Sequence, residues 1–312
     1  MAMALVFPGQ GSQSVGMGRS LFDSFAESRA VFDEVDQALG EKLSTLIFEG
    51  PEDQLTLTAN AQPALMAVSM AALRALEAEG FSPTTARYVA GHSLGEYSAL
   101  AAAGAFSIAD TARLLRIRGR AMQEAVPQGQ GAMAAILGLE AEAVLALCEE
   151  AAEGDVCEPA NDNGGGQIVI SGDKAAIDRA VMLAPERGAK RAIPLAVSAP
   201  FHCRLMQPAA ERMQAALAET AIAAPSVPVV SNVTASPTSS PDEIRERLVR
   251  QVTGQVRWRE SIGFLAQEGV TELVEIGSGR VLSGLARRID RNIVTSAIGT
   301  VDEVRAFSGE NG

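Results

Sequence analysis

Tyr88-Val89-Ala90-Gly91-His92-Ser93-Leu94-Gly95-Glu96-Tyr97 is the stretch that decides how this chain folds. Tyr88 to Gly91 is a short apolar run that reads as a strand, and from Gly95 to Ala103 a helix begins at once. A strand that turns into a helix across G-x-S-x-G makes a sharp elbow, with the serine hydroxyl at the edge of a sheet. The flanking glycines leave room where side chains would collide. Outward from the elbow the same alternation recurs. Ala4 to Phe7 predicts a strand that runs into Pro8-Gly9-Gln10-Gly11-Ser12-Gln13. Pro63 to Glu79 predicts a buried helix closed by Gly80. Leu273 to Ile276 predicts another strand, followed by a Gly-Ser-Gly turn and a helix. Short apolar runs between longer helical patterns point to an α/β protein with a mostly parallel sheet.

The middle of the chain breaks the pattern. Ala132 to Leu137, Val156 to Pro159, Gln167 to Ser171 and Arg191 to Leu195 read as strands; Ala141 to Ala151 and Ala175 to Glu186 read as helices. The order β-α-β-β-α-β is ferredoxin-like, so residues 128–197 are expected to form a small domain inserted in a larger one made of 1–127 and 198–312. Pro127 to Gly131 and Ser198-Ala199-Pro200 are the expected crossings. Ser308 to Gly312 is expected to be a frayed tail.

Composition narrows the function. Hydrophobic residues make up 47% of the 312 and charged residues 21%, so a folded core is expected rather than disorder. A net charge of -12 argues against nucleic acid as a partner, because phosphate binding needs a basic face. The longest helix-like stretch without a charge, Ala61 to Leu73, falls short of the roughly 20 residues that span a bilayer. No signal peptide is visible, and Cys148, Cys157 and Cys203 have no metal-ligand spacing. A soluble, cytoplasmic protein with reduced thiols is expected, with no metal and no membrane.

Ser93 needs a base to act as a nucleophile. Only two histidines are present. His92 adjoins the serine on a tight turn and is expected to pack beneath it, which leaves His202, in Ala199-Pro200-Phe201-His202-Cys203, as the base. Cys203 is the rival nucleophile, but it follows a loop proline and has no elbow. Four arginines, Arg113, Arg116, Arg118 and Arg120, lie on one helical stretch. Any of them would serve as a grip for an anion, and an exposed helix arginine is the ordinary alternative.

The runs Phe7-Pro8-Gly9-Gln10-Gly11-Ser12-Gln13 and Gly91-His92-Ser93-Leu94-Gly95-Glu96-Tyr97, with the His202 segment, resemble the malonyl-CoA:acyl carrier protein transacylase family. So do Gln123-Glu124-Ala125-Val126-Pro127 and Glu275-Ile276-Gly277. The resemblance extends over nearly the whole chain and implies an α/β-hydrolase-like domain with a ferredoxin-like insert. It implies Ser93 as nucleophile and His202 as base, with the backbone N–H groups of Gln10 and Leu94 as the oxyanion hole. It selects Arg118 to hold the substrate's free carboxylate, Gln251 to orient His202 through its main-chain carbonyl, and Asn161 and Asn163 to line the acyl or pantetheine path. Phe201 departs from several stand-alone members, which have a small residue there; it resembles malonyl-selective polyketide domains and would narrow the pocket. Ser278 stands where the family often has proline.

Malonyl-CoA and an acyl carrier protein are thus the implied partners, with malonyl transfer in fatty-acid biosynthesis as the implied activity. No cofactor is required beyond the thioester substrate, and a monomer is expected. A polyketide-pathway acyltransferase and a serine thioesterase are the alternatives. Arg287 and Arg288 are expected to contribute to a basic patch for the acidic carrier protein.

Overall fold

The computed structural model of the chain describes residues 2–311. Ten strands are present among them: β1 Ala2–Phe7, β2 Tyr88–Gly91, β3 Gly131–Leu137, β4 Cys157–Asp162, β5 Gln167–Asp173, β6 Arg191–Pro194, β7 Val229–Val230, β8 Pro237–Thr238, β9 Val270–Ile276 and β10 Val294–Ile298. Six of these form one sheet in the order β10-β9-β1-β2-β7-β8, and four form a second in the order β4-β5-β3-β6. Pairing in the large sheet is parallel except between β7 and β8. Every named pairing in the small sheet is antiparallel.

The large sheet is covered on both faces, which is why β1 reads as a continuous apolar run rather than an alternating one. Leu5 and Phe7 join the core on one side with the helix Thr58–Ala78; Ala4 and Val6 join the core on the other with Trp258, Ile262, Leu282 and Leu285. The Thr58–Ala78 helix is apolar around most of its circumference, as a central helix must be. It begins five residues before Pro63, earlier than the sequence suggests. A proline there has no N–H to give the Ala59 carbonyl, and the guanidinium of Arg116 takes that carbonyl instead, at 2.6 Å. The lost rung is thereby replaced by a side chain.

Residues 131–194 carry the small sheet and two helices, Ala141–Ala152 and Lys174–Leu183, around a core of their own that includes Ile136, Val144, Leu147, Ile170 and Ile177. The chain leaves and re-enters the larger body at adjoining points. A Cβ on Gly131 would lie 2.4 Å from the Pro200 ring, so a glycine is required where the two crossings touch. The edge strand β4 is longer than the sequence suggests and reaches Asp162. Its end is held to the larger body: Asp162 N–H donates to Val256 O at 2.9 Å, and Val256 N–H donates to Ala160 O at 2.8 Å. Asn161 therefore belongs to a strand rather than to the turn that follows.

The expected frayed tail is instead helical. Val301–Asn311 is a helix, and only Gly312 of that segment lies outside the described residues. No helix among the described residues is long and apolar enough to cross a membrane.

Candidate active site

The parallel register sets Phe7 opposite Gly91, so the loops leaving β1 and β2 emerge side by side at the carboxyl ends of the strands. The strand order reverses about β1, with β2 on one side and β9 on the other; such switch points are where open α/β sheets form clefts. Here the cleft has a volume of about 440 Å³ and is lined from both the large and the small sheet's surroundings, by Gln10, Ser93, Arg118, Asn161, Asn163, Phe201 and His202 among others.

The elbow is shaped by sterics. A Cβ on Gly91 would lie 1.9 Å from the Gly95 carbonyl oxygen, and one on Gly95 would lie 2.2 Å from the Phe7 carbonyl oxygen. Neither position tolerates a side chain. Between them Ser93 is held at φ 54°, in the left-handed region that an L-residue enters only when its surroundings impose it. Asn232 does much of the imposing: its Oδ1 accepts from Ser93 N–H at 2.8 Å and its Nδ2 donates to Gly91 O at 2.7 Å.

Ser93 Oγ lies 2.8 Å from His202 Nε2. His202 Nδ1 faces two carbonyl oxygens, Gln251 O at 2.9 Å and Gly254 O at 3.2 Å. Carbonyls only accept, so Nδ1 carries the proton and the Nε2 lone pair points at the serine. Burial, reinforced by the nearby Arg118 charge and opposed by the two carbonyls, pushes the imidazole down to about 3. The ring is therefore neutral at physiological pH, the state a base requires.

Arg118 is 1% exposed, whereas Arg113 and Arg120 on the same helix face solvent. Arg116 is also buried, but its guanidinium is engaged by Ala59, Asn60 and Glu41. Burial and bonding partners together thus separate four arginines that look alike in sequence. Arg118 Nη1 donates to Gln62 Oε1 at 2.8 Å, and Nη2 donates to Gln251 Oε1 at 2.9 Å and Ser93 Oγ at 3.2 Å. Both amide partners are neutral, so the guanidinium's charge stays available to an anion in the cleft. Gly119 allows this helix to approach, since a Cβ there would lie 2.6 Å from Thr58 O.

The Gln251 side chain joins the pieces. Its Nε2 donates to Ser93 O at 2.9 Å and to Glu96 Oε2 at 2.7 Å, while its Oε1 faces Arg118. The reversed amide would set NH₂ against guanidinium and oxygen against carboxylate, so the orientation is fixed by its neighbours. Glu96 is buried beneath the elbow; desolvation raises its carboxyl above the usual range, opposed by donors from Asn232 and Gln251.

Among the described residues, no protein acceptor takes the backbone N–H of Gln10 or Leu94. Gln10's side chain donates to Thr58 Oγ1 at 3.2 Å. His92 does not simply pack under the turn: its Nε2 meets Asn163 Oδ1 at 2.9 Å and its ring lies 5.6 Å from that of Trp258, which ties the elbow to the small sheet's loop. Asn161 Oδ1 is buried with no hydrogen-bond partner among the described residues. Phe201 is 8% exposed and forms part of the wall beside His202. Cys203 is buried, its Sγ donates to Pro200 O at 3.2 Å, and burial pushes its thiol up to about 11. That environment suits an inert thiol, not a nucleophile. Of the two arginines expected at the mouth, Arg288 lines it, while Arg287 turns away to bond Thr295. No cluster of three or more His, Cys, Asp or Glu residues among the described residues is placed to hold a metal ion.

Comparison with known proteins places this constellation. The acyl transferase domain family matches residues 4–285. The malonyl CoA-acyl carrier protein transacylase of Bacillus subtilis is 50% identical, the alignment covering 95% of this chain and 93% of that one. The chain belongs to the malonyl CoA-acyl carrier protein transacylase family. A crystal structure of the acyl-carrier-protein-S-malonyltransferase from Bartonella henselae superposes with a TM-score of 0.97 at 58% identity, over 98% of each chain. A malonyl-transacylase solved in complex with a type II PKS acyl-carrier protein superposes with a TM-score of 0.96 at 43% identity, over 100% of each.

Within this transacylase architecture the structure brings together Ser93, His202, Arg118 and the Gln251 carbonyl. Four features escaped the sequence reading: the Gln251 side chain, Gln62, Glu96 and Asn232. Glu96 and Gln62 were hidden because a charged or amide residue in a helical run ordinarily faces water. Asn232 lies in a loop with no motif. Only its place two residues after the short apolar pair Val229-Val230, at the end of a sheet strand, hints at the site.

Proposed function

We propose that this chain transfers malonyl from malonyl-CoA to the phosphopantetheine thiol of acyl carrier protein in fatty-acid biosynthesis. The observation that carries the proposal is the meeting of a buried arginine, whose side-chain hydrogen bonds among the described residues all go to neutral groups, with a histidine-paired serine: Arg118 Nη2 lies 3.2 Å from Ser93 Oγ. A planar guanidinium pairs well with a carboxylate, which malonyl has and acetyl lacks.

Ser93 Oγ gives its proton to His202 Nε2 and attacks the thioester carbon. The oxyanion is met by the N–H groups of Gln10 and Leu94, which have no other acceptor. Collapse breaks the C–S bond, and His202 returns the proton to the leaving CoA sulfur. A malonyl ester on Ser93 remains. The carrier's pantetheine thiol then enters, loses its proton to His202 and attacks the ester; the C–O bond breaks and Ser93 regains its proton. Arg118 holds the malonyl carboxylate through both halves. Phe201 narrows the acyl end, and the unpartnered Asn161 Oδ1 suits an amide N–H of the pantetheine arm, with Asn163 held beside it by His92. The scheme calls for no metal or other cofactor.

We read the larger body, 1–127 and 198–312, as α/β-hydrolase-like and 128–197 as a ferredoxin-like insert. The parallel sheet with an elbow after β2 supports the first, and the order β4-β5-β3-β6 of a β-α-β-β-α-β unit supports the second. A monomeric, cytoplasmic enzyme is the accompanying reading, with CoA thioesters as its substrates.

Intact-protein mass spectrometry after mixing with malonyl-CoA or acetyl-CoA, without carrier protein, tests the proposal. A persistent malonyl adduct on Ser93 with little acetyl adduct is expected. CoA release with no adduct would mean hydrolysis instead.

A further inference from the structure

Glu275-Ile276-Gly277 ends β9, and no step of the reaction uses it. Glu275 is fully buried, and its carboxylate is bonded to the backbone of the next helix, Val281–Ile289: Leu282 N–H donates to Oε1 at 3.0 Å and Ser283 N–H to Oε2 at 2.8 Å. These are two of the N–H groups that a helix start leaves without partners, and an anion there also meets the positive end of the helix dipole. A carboxylate on a central strand thus pins the start of a helix to the sheet.

That helix walls the cleft. Val281, Leu282, Leu285 and Arg288 all face it, the first three supplying apolar surface and Arg288 a cation near the mouth. Arg288 bonds Gln167 of the small sheet at 3.2 Å, and a Cβ on Gly165 would lie 2.9 Å from its Cβ. The loop entering the helix is tight as well. A Cβ on Gly277 would lie 2.4 Å from Ser69 Oγ, and Ser278 Oγ donates to Ser12 O at 2.7 Å. Ser93, His202 and Arg118 lie elsewhere and make no bond to this helix.

We propose that Glu275 is a positioning residue for substrate binding: its carboxylate fixes the register and tilt of the Val281–Ile289 helix. The wall so held grips the pantetheine arm shared by CoA and the carrier protein. The inference rests on the cleft's being the pantetheine path. Glu275 acts on how tightly both thioesters seat and leaves the chemistry at Ser93 untouched. Because the helix start already has its own anion, the phosphate of an incoming substrate is directed to Arg288, at the other end of the helix.

Glu275→Gln tests this. The amide keeps the shape, but its NH₂ confronts one of the two backbone N–H donors. The expected result is a KM raised about tenfold for malonyl-CoA and for the carrier protein alike, the loss of one charge-assisted hydrogen bond, with kcat within about twofold of wild type. In a cycle with Arg288→Ala, the two effects on carrier KM should be less than additive, because Glu275 acts through the helix that bears Arg288. A merely structural role would lower the melting temperature while leaving both KM values of the folded fraction unchanged, and that result would overturn the proposal. So would a fall in kcat at unchanged KM. If Glu275→Gln does not fold, Glu275→Asp, which keeps the anion and shortens its reach, should give the same KM pattern in milder form. Wild-type enzyme that forms no malonyl-Ser93 would refute the pantetheine reading itself; normal loading with unaltered KM values in the variant would refute only the role of Glu275.

Discussion

Ser93 and His202 are both held at positive φ, 54° and 61°, and their side chains meet at 2.8 Å. Among the described residues only Glu153 and Ala235 share that backbone region without being glycine. Left-handed backbone costs an L-residue about 1–2 kcal/mol, so the pair is held in place against its local preference. Strain at Ser93 has a measurable trace. Ser93→Gly and Ser93→Ala should both lose all malonyl loading, yet the glycine variant should be the more stable by about 1 kcal/mol in denaturant titration. Equal stability would mean the elbow is relaxed.

The pH dependence of loading follows from the state of His202. Its protonation is opposed first by burial and then by Arg118, which together push it down to about 3. The acid limb of kcat/KM for malonyl-CoA should therefore lie well below the ordinary histidine range. Removing the positive neighbour favours protonation. Arg118→Gln should move the limb to higher pH, and a limb that stays in place would show that burial alone sets it.

Acyl preference should respond to the charge held at Arg118. Replacing Gln62 by Glu sets a carboxylate where a neutral amide now accepts from Nη1 at 2.8 Å. Loading from malonyl-CoA should fall about 10- to 100-fold, the worth of a charge-assisted pair, while loading from acetyl-CoA should be little affected. Competition between the two thioesters, read by mass spectrometry, measures the ratio directly.

Gln251 serves in two separable ways. Its main-chain carbonyl accepts from His202, whereas its side chain joins Arg118, Ser93 O and Glu96. Gln251→Leu should leave the imidazole's partner in place and strip buried polar groups of theirs. A loss of about 3 kcal/mol in unfolding free energy is expected, with the acid limb of the pH profile unmoved.

Charge reversal at Arg288 bears on the protein partner. This residue lines the mouth and, among the described residues, is bonded to the neutral Gln167 alone. Arg288→Glu should raise the carrier's KM about tenfold at low salt and less at high salt, since rim charges act through a screened field. Salt-independent carrier kinetics in the wild type would exclude an electrostatic dock.

Much of this was legible in the sequence, for physical reasons. The elbow could be read because two glycines and a serine answer to steric limits that hold in any fold, and the base because the chain offers only two histidines. The order of strands and helices in the middle segment, β-α-β-β-α-β, pointed to a separate small sheet. What stayed hidden were groups defined by long-range packing. The Thr58–Ala78 helix starts ahead of Pro63 because the Arg116 guanidinium, from a distant helix, replaces the bond the proline cannot make, and nothing local to Pro63 announces that partner. Arg118 could not be told from its three neighbours by spacing, because burial sets it apart from Arg113 and Arg120 and only its bonding partners set it apart from Arg116. Glu96 and Asn232 declare no role in the sequence; their roles exist only once β7 lies beside β2.

The placement of β1 between β2 and β9 has a bearing on how the chain is made. A ribosome delivers β1 some 260 residues ahead of β9, so β1 waits with one edge bare throughout that interval. The small sheet's partners, by contrast, all lie within residues 131–194 and are all made before β9. His202 emerges after that unit, and Gln251 later still. A nascent chain thus holds its serine long before its base and the carbonyl that orients that base, and polypeptides interrupted before Gln251 lack the oriented pair that captures malonyl groups.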